Sequence, residues 1–300
     1  MKRLVAILVM LVGCGSGSGP KTAFNGPQAL AYVDTQVAFG PRIPNTPAHE
    51  KCGDWILAHL RATADSVDVQ AFDHVTVHGD TLHLRNFIAH FLPKRTDRVL
   101  YLAHWDTRPH SDNPSFHGDT NTPVPGANDG ASGVAVLLGV ANVLHKAPPS
   151  VGVDLLFEDG EDYGDFGPPE RDVLIGTHYF VDHLPKSYQP LYAVLFDMVG
   201  DKNLDIYQEG NSLAGAPEVV DRVWSAARQL GYEKYFIPEM KYSMTDDHIP
   251  LLQHGIHTVD VIDFDYGPNN SYWHTPQDTP DKVSAHSLQV VGDVAVDLVQ

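Results

Sequence analysis

The sequence predicts an α/β fold, and three observations support this prediction. Of the 300 residues, 43% are apolar, which is enough to bury one sizeable core. After Lys21, short apolar runs alternate with amphipathic stretches, the pattern of strands followed by helices. The chain shows no internal repeat and no break in composition. A single folded domain over residues 25–300 is therefore the simplest organisation.

The individual elements follow from the spacing of apolar residues. Short apolar runs indicate buried strands, and apolar residues that recur every three or four positions, as in Val134, Leu137, Leu138, Ala141 and Leu144, indicate helices. The predicted strands cover residues 86–91, 99–103, 153–157, 192–196, 205–208 and 258–262. The predicted helices cover residues 29–37, 48–62, 131–145, 176–183, 217–230 and 284–299.

The N-terminus predicts export. Lys2 and Arg3 precede nine apolar residues, 4–12, which are too few to cross a bilayer and are typical of a signal peptide over residues 1–13. The following Cys14 completes a segment, Leu-Val-Gly-Cys, that resembles a bacterial lipobox, although an ordinary signal peptide with a chance Cys is the alternative. We expect a lipid on Cys14, a flexible tether over residues 14–24, and a lipoprotein anchored on the periplasmic side of the envelope, in the outer membrane.

Charge and cysteine content exclude several classes of protein. The formal net charge is −18 with no run of Lys or Arg, so a nucleic-acid-binding surface is not expected. The two cysteines, Cys14 and Cys52, are too few for a thiolate metal site and allow one disulfide at most. With Cys14 lipidated, Cys52 is expected to be a buried thiol. The lipid is the only expected membrane contact, and we expect a monomer.

Ionisable side chains follow the predicted strands at their C-terminal ends, where open α/β sheets place their ligands. Taken singly, each has an ordinary structural explanation; Asp129, for example, could be a helix N-cap. Taken together, imidazole and carboxylate donors without Cys suit a catalytic zinc ion with an open coordination position. The residues of this group are His104, Asp129, Glu161, Asp162, Asp197 and His274.

Two local patterns suggest separate roles. Glu161 and Asp162 are adjacent, so their side chains leave the backbone in different directions and both cannot easily bind one ion. One can ligate while the other acts as a general base. In the segment His-Trp-Asp, Asp106 is expected to orient the ring of His104, with a simple capping role as the alternative.

The order of motifs resembles the zinc-dependent exopeptidase superfamily. These motifs are His-x-Asp at 104–106, Ala-Asn-Asp-Gly-Ala-Ser-Gly at 127–133, Asp-Gly-Glu-Asp at 159–162, Phe-Asp-Met-Val-Gly at 196–200 and Trp-His-Thr at 273–275. The superfamily contains dizinc aminopeptidases and glutaminyl-peptide cyclotransferases. The resemblance runs from about Phe39 to the last helix. It implies a three-layer αβα sandwich with a central mixed, mostly parallel sheet.

Within the superfamily the chain is more similar to the cyclotransferases. The segment Asp-Asp-His-Ile-Pro-Leu-Leu at 246–252 resembles a cyclotransferase segment, whereas aminopeptidases usually carry Ser-Asp-His there. Trp273 directly before His274 also resembles the cyclotransferases, in which the indole lines the substrate pocket. The alternatives are a helix N-terminus that favours acids for Asp246 and Asp247, and a buried anchor for Trp273.

The resemblance implies roles for individual residues. It makes Asp129, Asp162 and His274 the ligands of one zinc ion, and Glu161 the proton shuttle. It makes Asp197 and Asp246 a hydrogen-bonded carboxylate pair, and His104 and Asp197 ligands of a second zinc in an aminopeptidase. The residues expected to line the substrate pocket are Trp273, Thr245 and Asp247.

Two positions depart from the family pattern. Asp162 stands where the family often has Glu, and the shorter side chain needs a closer backbone to reach an ion. Asp260 stands where animal cyclotransferases carry a His. An acid there would lie near Asp246, so that one of the two carboxyl groups holds a proton.

Three functions follow from these residues. The first is a zinc-dependent cyclotransferase that converts the N-terminal Gln of peptides or proteins to pyroglutamate with release of ammonia, using one zinc ion. The second is a dizinc aminopeptidase, in which Glu161 activates a metal-bound water. The third is an inactive lipoprotein that uses the fold for binding, and the complete set of donors argues against it.

Overall fold

A computed structural model describes residues 21–300. Its centre is a mixed sheet of six strands in the order β1-β2-β4-β3-β5-β8. The four strands β4, β3, β5 and β8 are parallel, while β1 and β2 join them as an antiparallel hairpin. A separate pair, β6 and β7, lies outside this sheet. The strands are β1 Ser66–Val75, β2 Thr81–Phe91, β3 Arg98–His104, β4 Gly152–Glu158, β5 Tyr192–Asp197, β6 Ile206–Glu209, β7 Phe236–Tyr242 and β8 Thr258–Ile262.

Helices cover both faces of the sheet, as predicted for the three-layer architecture. On one face α1, α3 and α8 pack on one another, and the main apolar core lies between them and the strands. On the other face Phe180 of α4 and Leu251 of α7 pack against Leu100 and Leu195 in a second core. The helices are α1 Gly26–Ala38, α2 Pro47–Thr63, α3 Ala131–Lys146, α4 Ile175–Asp182, α5 Gly210–Gly215, α6 Pro217–Gln229, α7 His248–Gln253 and α8 Ala285–Asp297.

All six predicted strands and all six predicted helices are present, with boundaries shifted by up to five residues. Four elements were not predicted: β1, β7, α5 and α7. The strand β1 alternates exposed and half-buried residues at the edge of the sheet, and β7 contains Pro238 and is exposed over most of its length. The helices α5 and α7 have six residues each, too few to display a helical period.

The segment 21–24 corrects the predicted tether, which was expected to extend to residue 24. Thr22 Oγ1 donates to Asp293 Oδ1 at 2.6 Å, and Phe24 is buried. The Phe24 ring packs so closely on Gly139 and Gly292 that a Cβ at either glycine would lie 2.4 or 2.3 Å from a ring carbon. These residues are therefore part of the folded domain. The predicted signal peptide, Cys14 and the rest of the tether lie outside the described residues.

Two further observations concern the thiol of Cys52 and the presence of membrane-spanning helices. Cys52 is a fully buried free thiol, as expected, and burial raises its pKa to about 12. Among residues 21–300, no helix is long and apolar enough to cross a membrane.

Candidate active site

The predicted site residues meet at the C-terminal ends of the parallel strands. His104 is the last residue of β3, Asp197 is the last residue of β5, and Glu161 and Asp162 follow β4. Asp129 lies in the turn before α3, and His274 lies in the loop between β8 and α8. Parallel strands end at the same edge of a sheet, so residues far apart in sequence converge there.

Three of these residues form a compact group of donors. His274 Nε2 lies 3.4 Å from Asp162 Oδ1 and 3.7 Å from Asp129 Oδ2, and one donor atom from each of the three lies within 4.8 Å of the others. All three residues are buried, and Asp162 Oδ2 has no hydrogen-bond partner. Asp129 is not the N-cap of α3, because Gly130 takes that position. The structure thus brings together the three residues predicted to bind the first ion.

A second group shares Asp129. His104 Nε2 lies 3.2 Å from Asp197 Oδ1 and 3.3 Å from Asp129 Oδ1. Burial alone would lower the pKa of His104, but the charge of Glu161 and hydrogen bonds to nearby carboxylates raise it well above its usual value. The residues predicted for a second ion are therefore also adjacent.

Asp106 acts differently from the prediction. Its Oδ1 is 3.5 Å from His104 Nδ1, which is too long for a firm hydrogen bond. Its two carboxylate oxygens instead accept the backbone N–H groups of Glu161 and Asp162, at 3.1 and 3.2 Å. Asp106 therefore holds the backbone of the two adjacent acids and makes a longer contact with the imidazole.

Asp278 holds the backbone at Asp129 in a similar way. Its two oxygens accept the backbone N–H groups of Asn128 and Asp129, at 2.8 and 3.2 Å. A hydrogen bond from the Tyr266 hydroxyl, 2.6 Å from Asp278 Oδ1, completes this support. Asp278 could not be predicted from the sequence, because its local sequence resembles that of any acidic residue in a surface loop.

His274 is supported from its other ring nitrogen. Asp112, in the 108–125 loop, lies with Oδ1 2.9 Å from His274 Nδ1. Arg108 binds Asp112 through Nε at 2.8 Å, and its Nη1 donates to Asp162 Oδ1 at 2.7 Å. Burial alone would lower the pKa of His274, but the charge of Asp162 and the bond to Asp112 raise it to about 9. Both Arg108 and Asp112 were missed by the sequence analysis.

Glu161 has the environment of an acid that can hold a proton. It is buried beside the predicted ion ligands, and Glu161 Oε2 is 3.5 Å from His104 Nδ1. Burial raises the pKa of Glu161 well above its usual value, against the opposing charge of His104, and the charges of Asp162 and Asp246 raise it further. A carboxyl with a raised pKa can both accept and return a proton.

The carboxyl groups of Asp246 and Asp260 face one another, as expected from the departure at position 260. Both residues are buried, and burial raises the pKa of each well above its usual value, with their mutual interaction adding to that of Asp260. The charge of Asp197 also raises the pKa of Asp246. The environment therefore favours a proton on this pair.

A cavity of about 380 Å³ opens onto these groups. Its walls combine carboxylates with apolar side chains, and Thr245 and Trp273 line it as predicted. Asp247 does not line it: its side chain is fully buried, next to Thr177 and Glu158. The prediction for Asp247 was therefore wrong, because neighbouring residues at the start of α7 point in different directions. Apolar wall residues include Met198, Met244, Ile262, Phe264 and Trp273.

The comparisons with known proteins agree with this geometry. The sequence model of Peptidase family M28 matches residues 86–299, which include every donor described above. The chain belongs to this family. A Zn-dependent exopeptidase from Parabacteroides distasonis is 39% identical to this chain, and the match covers 91% of this chain and 97% of the exopeptidase, with a TM-score of 0.85.

Glutaminyl cyclases and aminopeptidases are both among the proteins that are similar to this chain. The glutaminyl cyclase of Bacteroides thetaiotaomicron is 36% identical, with a TM-score of 0.86 and coverage of 92% of this chain and 97% of its own. A leucine aminopeptidase precursor from the same organism is also 36% identical, with a TM-score of 0.87 and the same coverage. Among curated proteins, Aminopeptidase YwaD of Bacillus subtilis is 29% identical over 67% of this chain, and this match spans only 40% of that relative. The Drosophila melanogaster glutaminyl-peptide cyclotransferase is 26% identical over 79% of this chain and 70% of its own length.

The residues present fit a zinc ion. Zinc bonds to His nitrogen and carboxylate oxygen are about 2.0–2.2 Å long, so the donors of a tetrahedral site lie about 3.3–3.6 Å apart. The distances from His274 Nε2, 3.4 and 3.7 Å, are close to this spacing. The partnerless Asp162 Oδ2 is a further free donor. Asp129, Asp162 and His274 all line the cavity, and a four-coordinate zinc ion held by these three residues would keep one position for water or substrate.

Proposed function

We propose that the protein is a glutaminyl-peptide cyclotransferase, which converts the N-terminal Gln of peptides to pyroglutamate and releases ammonia. The observation that carries this proposal is the trio Glu161, Asp197 and Asp246, which lines the same cavity as the three ion ligands. Cyclisation moves protons between two nitrogen atoms of one substrate, and several carboxylates around one ion suit that task. The cyclotransferases among the relatives support the same choice.

Glu161 is the proton shuttle in this proposal. The α-amine of the substrate attacks the γ-carbonyl carbon, so that a C–N bond forms and the ring closes. Glu161 takes the proton that the amine loses and delivers it to the carboxamide nitrogen, whose C–N bond then breaks to release ammonia. One carboxyl group therefore both accepts and donates the proton, and the raised pKa of Glu161 suits it to both steps.

Asp197 and Asp246 hold the reacting nitrogen atoms. Asp197 lies at the end of β5 with Oδ1 bonded to His104, and its other oxygen remains for substrate N–H groups. Asp246 is backed by Asp260, which supplies a buried partner behind the cavity wall. Holding the substrate side chain folded over its own amine makes the attack intramolecular, and this supplies a large part of the rate increase.

The ion and the apolar wall complete the site. A zinc ion held by Asp129, Asp162 and His274 would polarise the γ-carbonyl as a Lewis acid and stabilise the negative charge that develops on its oxygen. Trp273 and Phe264 pack edge to face, with ring centroids 5.0 Å apart, and form an apolar wall beside the ligands.

An aminopeptidase is the second candidate, and one observation favours it. His104, Asp129 and Asp197 form a buried group that could hold a second ion next to the first. With two ions, Asp197 would be a ligand rather than a substrate contact, and Glu161 would act as general base toward water. The two functions therefore assign different partners to Asp197.

A paired assay separates these functions. Zinc-loaded protein that begins after Cys14 is given Gln-β-naphthylamide, with pyroglutamate and ammonia measured, and a panel of Leu, Ala and Lys p-nitroanilides. The proposal predicts pyroglutamate without release of nitroaniline. Release of nitroaniline without pyroglutamate would establish the aminopeptidase.

We also propose that the protein is a lipoprotein of the cell envelope, anchored through Cys14 and acting on peptide N-termini outside the cytoplasm. The lipobox-like segment Leu-Val-Gly-Cys supports this proposal. In cells that express the full chain, Cys14→Ser is expected to move the protein from the membrane fraction to the soluble fraction. A Cys52→Ser variant is the control, and an unchanged membrane fraction for Cys14→Ser would contradict the anchor.

A further inference from the structure

Asp112 contacts the imidazole of His274, one of the three proposed ion ligands, on the side that faces away from the ion. Asp112 is on a loop and its side chain is 42% exposed, yet Oδ1 is within 2.9 Å of His274 Nδ1. Arg108 donates two hydrogen bonds to the same carboxylate, from Nε to Oδ1 at 2.8 Å and from Nη2 to Oδ2 at 2.5 Å. An exposed carboxylate held by three directed contacts has much less freedom than a typical loop acid.

The contact decides which nitrogen of His274 can bind an ion. An imidazole that donates its Nδ1–H to a carboxylate presents the lone pair of Nε2, and this nitrogen is the one directed toward Asp129 and Asp162. Without an acceptor at Nδ1, the ring can rotate or take the other tautomer, and either change turns the donor away from the carboxylates.

The loop itself is fixed to the segment that carries His274. The Asn113 backbone N–H donates to the carbonyl oxygen of His274 at 3.3 Å, and Asn113 Nδ2 donates to the carbonyl oxygen of Trp273 at 2.9 Å. Arg108 connects the same loop to Asp162 through its 2.7 Å bond to Oδ1. Asp162 Oδ2 has no hydrogen-bond partner, so Asp162 keeps a free donor atom in addition to the oxygen that accepts from Arg108.

We propose that Asp112, fixed by Arg108, is the positioning residue that holds His274 in its ion-binding orientation. The 108–125 loop is then a structural part of the metal centre. This inference rests on the zinc assignment within the proposed function. It is independent of whether the bound zinc serves cyclisation or hydrolysis.

The test is a zinc affinity measurement on Asp112 variants. Purified protein is stripped of metal, and its zinc dissociation constant is measured by competition with a fluorescent chelator at neutral pH, without substrate. Asp112→Ala is expected to weaken zinc binding about 10- to 100-fold, the usual effect of losing the carboxylate partner of a metal-bound His. Asp112→Asn keeps an oxygen that can accept the Nδ1–H, so its loss is expected to be smaller.

Asp97→Ala is the matched control, because Asp97 forms an Arg–Asp pair with Arg95 in an exposed turn and contacts none of the site residues. This control is expected to bind zinc like the wild type. Thermal unfolding of the metal-free proteins separates positioning from damage to the fold: Asp112→Ala should unfold at a temperature similar to Asp97→Ala. Wild-type zinc affinity in Asp112→Ala, or a loss matched by unfolding of the metal-free variant, would overturn the proposal. A wild-type protein without zinc affinity would overturn the zinc assignment beneath it.

Discussion

The indole of Trp273 stacks on the imidazole of His274, with ring centroids 3.7 Å apart and an angle of 23° between the planes. The indole therefore contacts a predicted ion ligand and lines the cavity at the same time. His274 takes a left-handed backbone conformation, with φ of +53°, which a non-glycine residue rarely adopts. Strained backbone of this kind is often found at functional sites, where the surrounding contacts maintain it.

Trp273→Ala is expected to weaken substrate binding more than it weakens zinc binding. Loss of the indole removes apolar contact with the substrate and the stacking on His274, with an expected rise in KM of about tenfold. Trp273→Phe keeps an aromatic face and should show a smaller rise. Steady-state kinetics with Gln-β-naphthylamide, together with zinc content by elemental analysis, check this. A larger effect on zinc content than on KM would place Trp273 in the metal centre instead.

Glu161→Gln tests the proton shuttle. The amide has a similar shape but cannot accept the amine proton, so kcat is expected to fall about 10²- to 10⁴-fold. Zinc affinity should change little, because Glu161 is not one of the three ligands. Turnover similar to that of the wild type would remove Glu161 from the mechanism. Asp162→Asn is the contrasting variant, for which loss of zinc is expected.

His104→Gln separates one ion from two. In the proposed cyclotransferase, His104 bonds to Asp197 and is not an ion ligand, so the variant should still bind one zinc ion per chain. In an aminopeptidase, His104 is a ligand, and the variant would lose one of two ions. Elemental analysis after removal of free zinc measures the ratio directly. A fall from two ions to one would favour the aminopeptidase.

Asp154 is expected to stabilise the fold in a manner that depends on pH. It is fully buried in β4 and binds Arg98 Nε at 2.8 Å and His90 Nδ1 at 2.6 Å. Burial raises the pKa of Asp154, but the bonds from His90 and Arg98 outweigh this and lower it below its usual value. Its stabilisation is therefore complete above the unfolded pKa of about 3.9, and it is lost as the pH falls through the lower folded pKa.

Asp154→Asn should accordingly lower the free energy of unfolding by about 3 kcal/mol at neutral pH, because it leaves Arg98 without its buried partner. Urea unfolding at neutral pH and at progressively lower pH checks this. The difference from the wild type should shrink as the pH falls below about 3.9. The control is Asp68→Asn, because Asp68 contacts the same His90 from an exposed position and should contribute little. A difference that does not vary with pH would contradict the ionic origin.

Gly292 tests the docking of residues 21–24. In Gly292→Ala the new Cβ would lie 2.3 Å from the Phe24 ring, so the ring must move. We expect a loss of about 1–3 kcal/mol from overpacking, although alanine is the better helix former. Combining this change with Phe24→Leu should recover part of the loss, since a smaller side chain makes room. Additive effects of the two substitutions in urea unfolding would show that Phe24 does not pack there.

The sequence was a good guide to buried elements and a poor guide to short or exposed ones. The strands β3, β4, β5 and β8 carry continuous apolar runs and were predicted, because they are covered on both faces. The strand β1 was missed, since at the edge of the sheet it buries little and its register is decided by pairing with β2. The helix α7 was missed because its packing against β8, and not an apolar period, stabilises it.

The residues of the site were likewise predictable only in part. The predicted ligands stand next to strand ends or in recognisable motifs, so their convergence could be expected from the topology. Asp112 and Asp278 could not be found, because they reach His274 and Asp129 across 162 and 149 residues of chain. Asp247 was predicted to line the cavity, and only the turn into α7 shows that its side chain diverges from that of Asp246.

The most direct test of the account is a titration of zinc into metal-free protein, with pyroglutamate formation from Gln-β-naphthylamide followed at each addition. The account predicts that cyclisation rises linearly with added zinc and reaches its plateau at one ion per chain. A plateau at two ions per chain, or full zinc binding without any pyroglutamate, would contradict it.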